Sequence, residues 1–342
     1  MKPTIRDVAK AAGVSAMAVS YVLHGTGRNV RVSEETSEKI RKAASDLRYA
    51  PNSMARTFRS GKTHMVGVVF QHLDRLSDDN PYLPLLLNGI MAALFPAGYT
   101  LALCPRLVQH GDMVAMLDGR FDGVLWARPD FTEANVESLR DARVPLVMLH
   151  APEGSADGIS TFCADNDSAL RLVVDHLYQL GHRNCTFVID EVNDHTAEGR
   201  ARGLAFLEAI QSYGMSGEVW TWDERSQSLS EYHQANRGRT AMVCFSDTLA
   251  GRILTTLHSF GMSVPREISV VGFDSSTFCD RTTPKLTSVY QPVEKIAFEA
   301  TSHLLSLIAA DERGEPSTQH SSTLYACGLD VRESTCPPSL RK

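Results

Sequence analysis

Side chains able to do chemistry are sparse in this 342-residue chain, and their arrangement argues for binding rather than turnover. The patterns G-x-G-x-x-G, the phosphate loop and G-x-S-x-G do not occur. Twelve histidines are scattered, and nothing in their spacing singles out a catalytic set. The seven cysteines (Cys104, Cys163, Cys185, Cys244, Cys279, Cys327 and Cys336) form no C-x-x-C pair and no His/Cys cluster, so neither metal nor cofactor is expected. Two groups of residues remain. Arg200 opens an R-x-x-G pattern at the start of a helical stretch, and Asp274 follows a buried apolar run. A guanidinium offers several donors in a fixed fork and a carboxylate accepts two hydroxyls, a pairing that suits a sugar diol. In the second group, Ala16, Met17, Ser20 and Tyr21 fall on the outer side of a short helix near the N-terminus. Ala and Met can touch a thymine methyl, and a tyrosine hydroxyl can reach a base or a phosphate. None of the four is Arg, Gln or Asn, so bidentate base readout from this helix is weak.

The elements that must carry the second group are legible in Thr4–Leu23. Thr4 can cap a helix with Asp7 at its positive end, and Ile5, Val8, Ala9 and Ala12 fall at helical spacing. Gly13 supplies a sharp turn, Ser15 caps a second helix, and Val19, Val22 and Leu23 pack inward. This is a helix-turn-helix; an ordinary helical hairpin is the alternative, and charge weighs against it. Residues 1–62 hold 12 Lys+Arg against 5 Asp+Glu, whereas the remainder holds 22 against 35. A basic head on an acidic body meets a polyanion through the head alone. Lys2, Thr4, Arg6, Ser15, Ser20 and Arg28 are candidate phosphate anchors. A third helix, capped by Ser33, carries Ile40, Ala43, Ala44 and Leu47 as its apolar stripe and closes a three-helix core. After Pro51 a short helix capped by Asn52 or Ser53 ends near Arg59 and Gly61; a helix this short is barely stable alone.

From Met65 strands and helices alternate. MVGVVF, YTLALC, DGVLW and VPLVML read as buried parallel strands, and a second series follows in NCTFVI, EVWTW, TAMVCF and EISVVGF, with LTSVY and the terminal segment as later strands. Helices are expected near 82–96, 132–142, 167–180, 197–213, 226–235, 248–260 and 293–309. Two such series imply two doubly wound lobes with ligand held at the strand C-terminal ends. No apolar run is long enough to span a bilayer, the N-terminus is not a secretory signal, and scattered thiols fit a reducing cytoplasm.

The stretch Thr4–Leu23 resembles the DNA-binding headpiece of the LacI/GalR family, matching its pattern at Thr4, Ile5, Asp7, Val8, Ala9, Ala12, Gly13, Val14, Ser15, Val19, Ser20, Val22 and Leu23 and departing at Ala18. The body resembles the periplasmic-binding-protein type I sensor of the same family at Asp122-Gly-Val124, Asp165-Asn166, Leu180-Gly-His-Arg183, Arg200-Ala-Arg-Gly203, Ser269–Asp274, Pro284–Thr287 and Arg332–Ser334. The resemblance implies an all-α helix-turn-helix headpiece plus an α/β body of two doubly wound parallel-sheet lobes. It implies base reading by Ala16, Met17 and Tyr21. It also implies a hinge helix that places Met54, Arg56 and the wedge Phe58 at the operator centre. The null for Phe58 is packing on the body. Effector contacts are implied at Tyr82, His150, Asp165, Arg200, Ser246 and Asp274. His150 stands where many members have Asp, and Ser246 where Asn is common.

The expected divisions are 1–48 (headpiece), 49–63 (hinge), 64–164 plus 291–322 (N-terminal lobe) and 165–290 plus 323–342 (C-terminal lobe), with chain crossings near 164, 290 and 322. The expected function is that of a cytoplasmic, homodimeric transcription repressor. It would bind double-stranded operator DNA and respond to a small effector, a saccharide by family habit, with no membrane partner. The rivals are a sugar sensor acting through a protein partner and an enzyme with a regulatory head.

Overall fold

The computed structural model describes residues 3–24, 31–50, 61–70, 81–104, 119–127, 144–152, 154, 158–223, 228–236, 238–315 and 321–339. They fall into two compact units, Met1–Thr63 and His64–Lys342.

In the first unit, α1 (Ile5–Ala12), α2 (Ala16–His24) and α3 (Glu34–Asp46) surround Val8, Ala9, Val19, Ile40, Ala43 and Ala44. Their ends are set by the expected caps. The Asp7 carboxylate accepts from the Thr4 backbone N–H at 2.8 Å and from its hydroxyl at 2.7 Å. The Ser15 hydroxyl accepts from the Ala18 N–H, and that of Ser33 from the Thr36 N–H. Gly13 ends α1 at φ +67°, a left-handed conformation that a side chain would strain.

The second unit contains two six-stranded sheets. The first, in the order β11-β5-β4-β3-β1-β2, uses β1 (Met65–Phe70), β2 (Thr100–Cys104), β3 (Gly123–Ala127), β4 (Leu146–Leu149), β5 (Ser160–Ala164) and β11 (Ser322–Tyr325). All its pairings are parallel. Alternate residues serve opposite faces. Val66, Val68, Leu125 and Val147 meet the helices Tyr82–Leu94 and Val293–Glu312, whereas Val69, Val124, Trp126 and Met148 form a second layer. Gly89 lets those two helices touch, because a Cβ there would collide with the carbonyl oxygen of Glu294.

The second sheet, in the order β12-β10-β9-β8-β6-β7, uses β6 (Asn184–Asp190), β7 (Ser216–Trp222), β8 (Ala241–Cys244), β9 (Ser269–Asp274), β10 (Thr287–Tyr290) and β12 (Gly328–Asp330). It is parallel except where β12 pairs antiparallel with β10. The helices Asn166–Leu180, Ala197–Ser212, Ser228–Ala235 and Asp247–Ser259 flank it.

Two expectations change. The strand β5 was not foreseen: STFCA carries two hydroxyl residues, yet it is buried throughout because β4 and β11 flank it on either side. The last crossing falls between Tyr325 and Gly328, not near 322, because Ser322–Tyr325 still pairs with β5 in the first sheet. The expected helix near 132–142 and the hinge helix lie outside the described residues.

Candidate functional site

The headpiece presents the first turn of α2. Met17 is 64% exposed and Tyr21 38% exposed, and Ala16, Ser15, Thr4 and Arg6 are also exposed. Two of the proposed anchors are already engaged as caps: Thr4 on Asp7 and Ser15 on Ala18. Ser20 does not face outward. It is 6% exposed, because residues 19, 20 and 23 share one side of α2 and that side faces the headpiece core. Arg28, Met54, Arg56 and Phe58 lie outside the described residues.

In the body, strand ends build a cleft. Asp190 ends β6, Phe245 and Ser246 follow β8, Asp274 ends β9, and Gln291 follows β10. With Tyr82, Asn193, Glu198, Arg202, Thr248 and Arg252 they line a cavity of about 520 Å³. Tyr82 starts a helix of the first sheet's layer, whereas Asp190, Arg202, Phe245 and Asp274 belong to the second. A crevice at carboxyl strand ends is where open α/β sheets hold ligands.

Arg202, not Arg200, enters this cleft. In the helix Ala197–Ser212 the buried side carries Glu198, Arg202, Ala205, Phe206, Ala209 and Ile210. Arg200 is two residues away from Arg202, about 200° around the helix, and is exposed. The sequence already held this signal, since the stripe Ala205, Phe206, Ala209 and Ile210 extends back to 202 and 198. The Arg202 guanidinium gives Nη2 to Glu198 Oε1 at 2.5 Å, Nε to Asn166 Oδ1 at 3.1 Å and Nη1 to the Phe245 carbonyl at 2.7 Å. It also lies 3.6 Å over the Phe273 ring.

Asp274 is where the sequence placed it. It is buried and accepts one hydrogen bond, from Gln291 Nε2 at 2.5 Å. Burial, reinforced by the neighbouring Asp247 carboxylate, pushes its carboxyl up to about 8. Its φ of +127° and that of Ser275 (+43°) are strained for residues with side chains. Ser246 lines the cavity while its hydroxyl caps the next helix through the Leu249 N–H. Asp247 is turned away and wholly buried, accepting from Ser276, Cys279 and Ser288.

Two candidates sit beside the cavity and do not line it. Asp165 caps the helix Asn166–Leu180 through the Ser168 N–H. Its neighbour Asn166 supports Arg202. His150 is fully buried, edge-on to Tyr82 at 5.2 Å between ring centroids, with Nδ1 3.6 Å from Glu198 Oε1. Neither ring nitrogen has a hydrogen-bond partner among the described residues. Sequence reasoning missed Asp190, Asn193, Glu198, Arg202, Arg252 and Gln291. Asp190 and Gln291 could have been found by taking the residue at or after each strand's end, as Asp274 was.

Comparisons with known proteins agree with this architecture. Residues 4–52 match the family described as bacterial regulatory proteins, lacI family, and residues 174–335 match a periplasmic binding protein-like domain. The chain is 28% identical over 323 residues to the HTH-type transcriptional repressor PurR of Actinobacillus pleuropneumoniae serotype 3 (strain JL03), covering 90% of this chain and 92% of that protein. It is 29% identical over 318 residues to the PurR repressor of Vibrio atlanticus (strain LGP32), covering 89% and 92%. Among solved structures, a transcriptional regulator CelR–cellobiose complex superposes with a TM-score of 0.71 at 25% identity, covering 97% of this chain and 99% of that one. The Lac repressor dimer bound to operator and the anti-inducer ONPF shares the fold at a TM-score of 0.81 and 22% identity, covering 98% and 100%. The capped three-helix head, the two parallel sheets with their shared cleft and these matches along the chain together make it a member of the lacI family of bacterial regulatory proteins.

Proposed function

We propose that this protein is a homodimeric transcription repressor of the cytoplasm, acting by binding and not by turnover, whose hold on operator DNA is set by a small effector in the cleft. The observation that carries the reading is the exposed first turn of α2, with Met17 and Tyr21 outward on a capped helix-turn-helix. A helix so presented lies in the major groove with its N-terminal residues on base edges. Ala16 and Met17 then read thymine methyls, while Arg6 contacts phosphate. One headpiece makes too few contacts for tight binding, so a two-fold protein on a two-fold site is required. The relatives named as repressors and the neighbour solved as an operator-bound dimer support this assembly. The neighbour solved with cellobiose supports a saccharide-like effector. None of the seven cysteines is bridged, which suits a reducing compartment.

Within this reading, residues 49–63 are the hinge, with Met54, Arg56 and Phe58 at the operator centre. Lobe closure on the effector acts on DNA through that segment. The experiment is selection of a preferred duplex from a random pool, followed by a salt titration. Operator affinity should fall steeply with salt as phosphate contacts release counterions, and Phe58→Ala should lower it with effector affinity intact. A flat salt response, or no preference over random duplex, would return the protein-partner reading.

A further inference from the structure

An arginine in an effector cleft invites an anionic ligand, but here both arginines of the cavity are already matched. Arg202 is held by Glu198, Asn166 and the Phe245 carbonyl, and Arg252 Nη2 is 2.8 Å from Asp190 Oδ2. Each cation is thus paired with a carboxylate of the same wall. Asp274 is left over. Among the described residues its hydrogen-bond partner is the neutral amide of Gln291, and the carboxylate behind it, Asp247, is held by hydroxyl, thiol and backbone groups, not by a cation. The Gln291 Oε1 atom is buried and accepts no hydrogen bond. The cavity therefore ends in an acceptor corner: a carboxyl group tied to an amide whose carbonyl oxygen is unsatisfied. A phosphate or carboxylate brought there would be buried beside Asp274 without a counter-charge, which is costly, whereas hydroxyl or ammonium donors would satisfy both groups.

We propose that this cleft selects an effector without negative charge, presenting two adjacent hydrogen-bond donors to Asp274 and Gln291 as a vicinal diol or amino alcohol does, and turns away phosphorylated and acidic sugars. The inference rests on the reading of this cleft as the effector site.

The test is a thermal-shift series on the full chain with matched sets of monosaccharides: D-glucose, D-glucosamine, D-glucose 6-phosphate and D-glucuronate, with the corresponding galactose and mannose sets. A ligand that binds only the folded state raises its melting temperature. The neutral or amino member of at least one set should shift the melt while its phosphorylated and uronic partners do not. Asp274→Asn should weaken that hit by about tenfold or more. Gln291→Glu should favour the amino member over the neutral one. The neutral and amino arms distinguish which donor pair is used. A shift by an anionic member equal to or larger than that of its neutral partner would overturn the charge selection, and if Asp274→Asn alters that shift the effector-cleft reading survives. A neutral hit indifferent to both substitutions would overturn the acceptor corner. Silence across every set, with operator binding intact, would overturn both the selection and the effector-cleft reading.

Discussion

Arg202 and Glu198 form a buried pair whose members stabilise each other only together. Arg202→Ala leaves the Glu198 carboxylate in the cleft wall with its guanidinium partner gone, and removing one partner of such a pair costs about 3–5 kcal/mol. Urea unfolding should show that loss, whereas Arg200→Ala, at an exposed position, should stay within about 0.5 kcal/mol of the parent. Asp274 makes a second prediction, through pH. Its folded carboxyl holds a proton up to about 8, whereas the ordinary value is 3.8. Between those values the folded state binds more protons than the unfolded one, so this group lowers stability progressively as pH rises through the interval. Asp274→Asn removes that slope. Melting temperatures of parent and variant should converge near pH 4 and separate by several degrees near pH 8, with the variant higher. A parent melt that does not fall relative to the variant over this range would show that Asp274 is charged in the folded protein.

At the scale of elements, the contact between the helices Tyr82–Leu94 and Val293–Glu312 depends on a missing side chain. Gly89→Ala would drive a methyl into the Glu294 carbonyl and crowd Ala297, and the helices would have to separate. Overpacking of this kind costs about 1–3 kcal/mol. A chemical unfolding curve with an earlier midpoint and unchanged slope is the expected outcome. In the headpiece, Asp7→Ala removes the acceptor for both Thr4 groups and should cost about 1 kcal/mol of headpiece stability, read from the helical circular dichroism of the melt. The caps, turns and apolar stripes of these helices were readable because each depends on residues three or four apart. Strand β5 was not, because its burial comes from partners distant in the chain, β4 and β11.

At the scale of the whole molecule, charge divides the labour. The 12 basic side chains of residues 1–62 face a polyanion, and the acidic excess of the remainder keeps the body from competing for it. If several of those cations meet phosphates, raising salt from about 50 to 200 mM should lower operator affinity by orders of magnitude. Uncharged effector binding in the cleft should change little over the same range. Equal salt sensitivity of both would place charged ligand contacts in the cleft.

The headpiece, the two βα series, the approximate lobe divisions and the importance of Asp274 were legible in the amino-acid sequence. Capping, turn formation and helical or strand periodicity are local, and an aspartate at the end of a buried strand points to a crevice by a general rule of open sheets. Which arginine enters the cleft was decided by the angle of a helix about its own axis, which the sheet beneath it sets: Arg202 inward, Arg200 outward. The tertiary fold likewise turned Ser20 inward, kept β11 in the first sheet, and brought His150 to 3.6 Å from Glu198. Above all, it paired each cleft arginine with a carboxylate, so the charge a ligand meets is set by which side chains neutralise one another and not by their count.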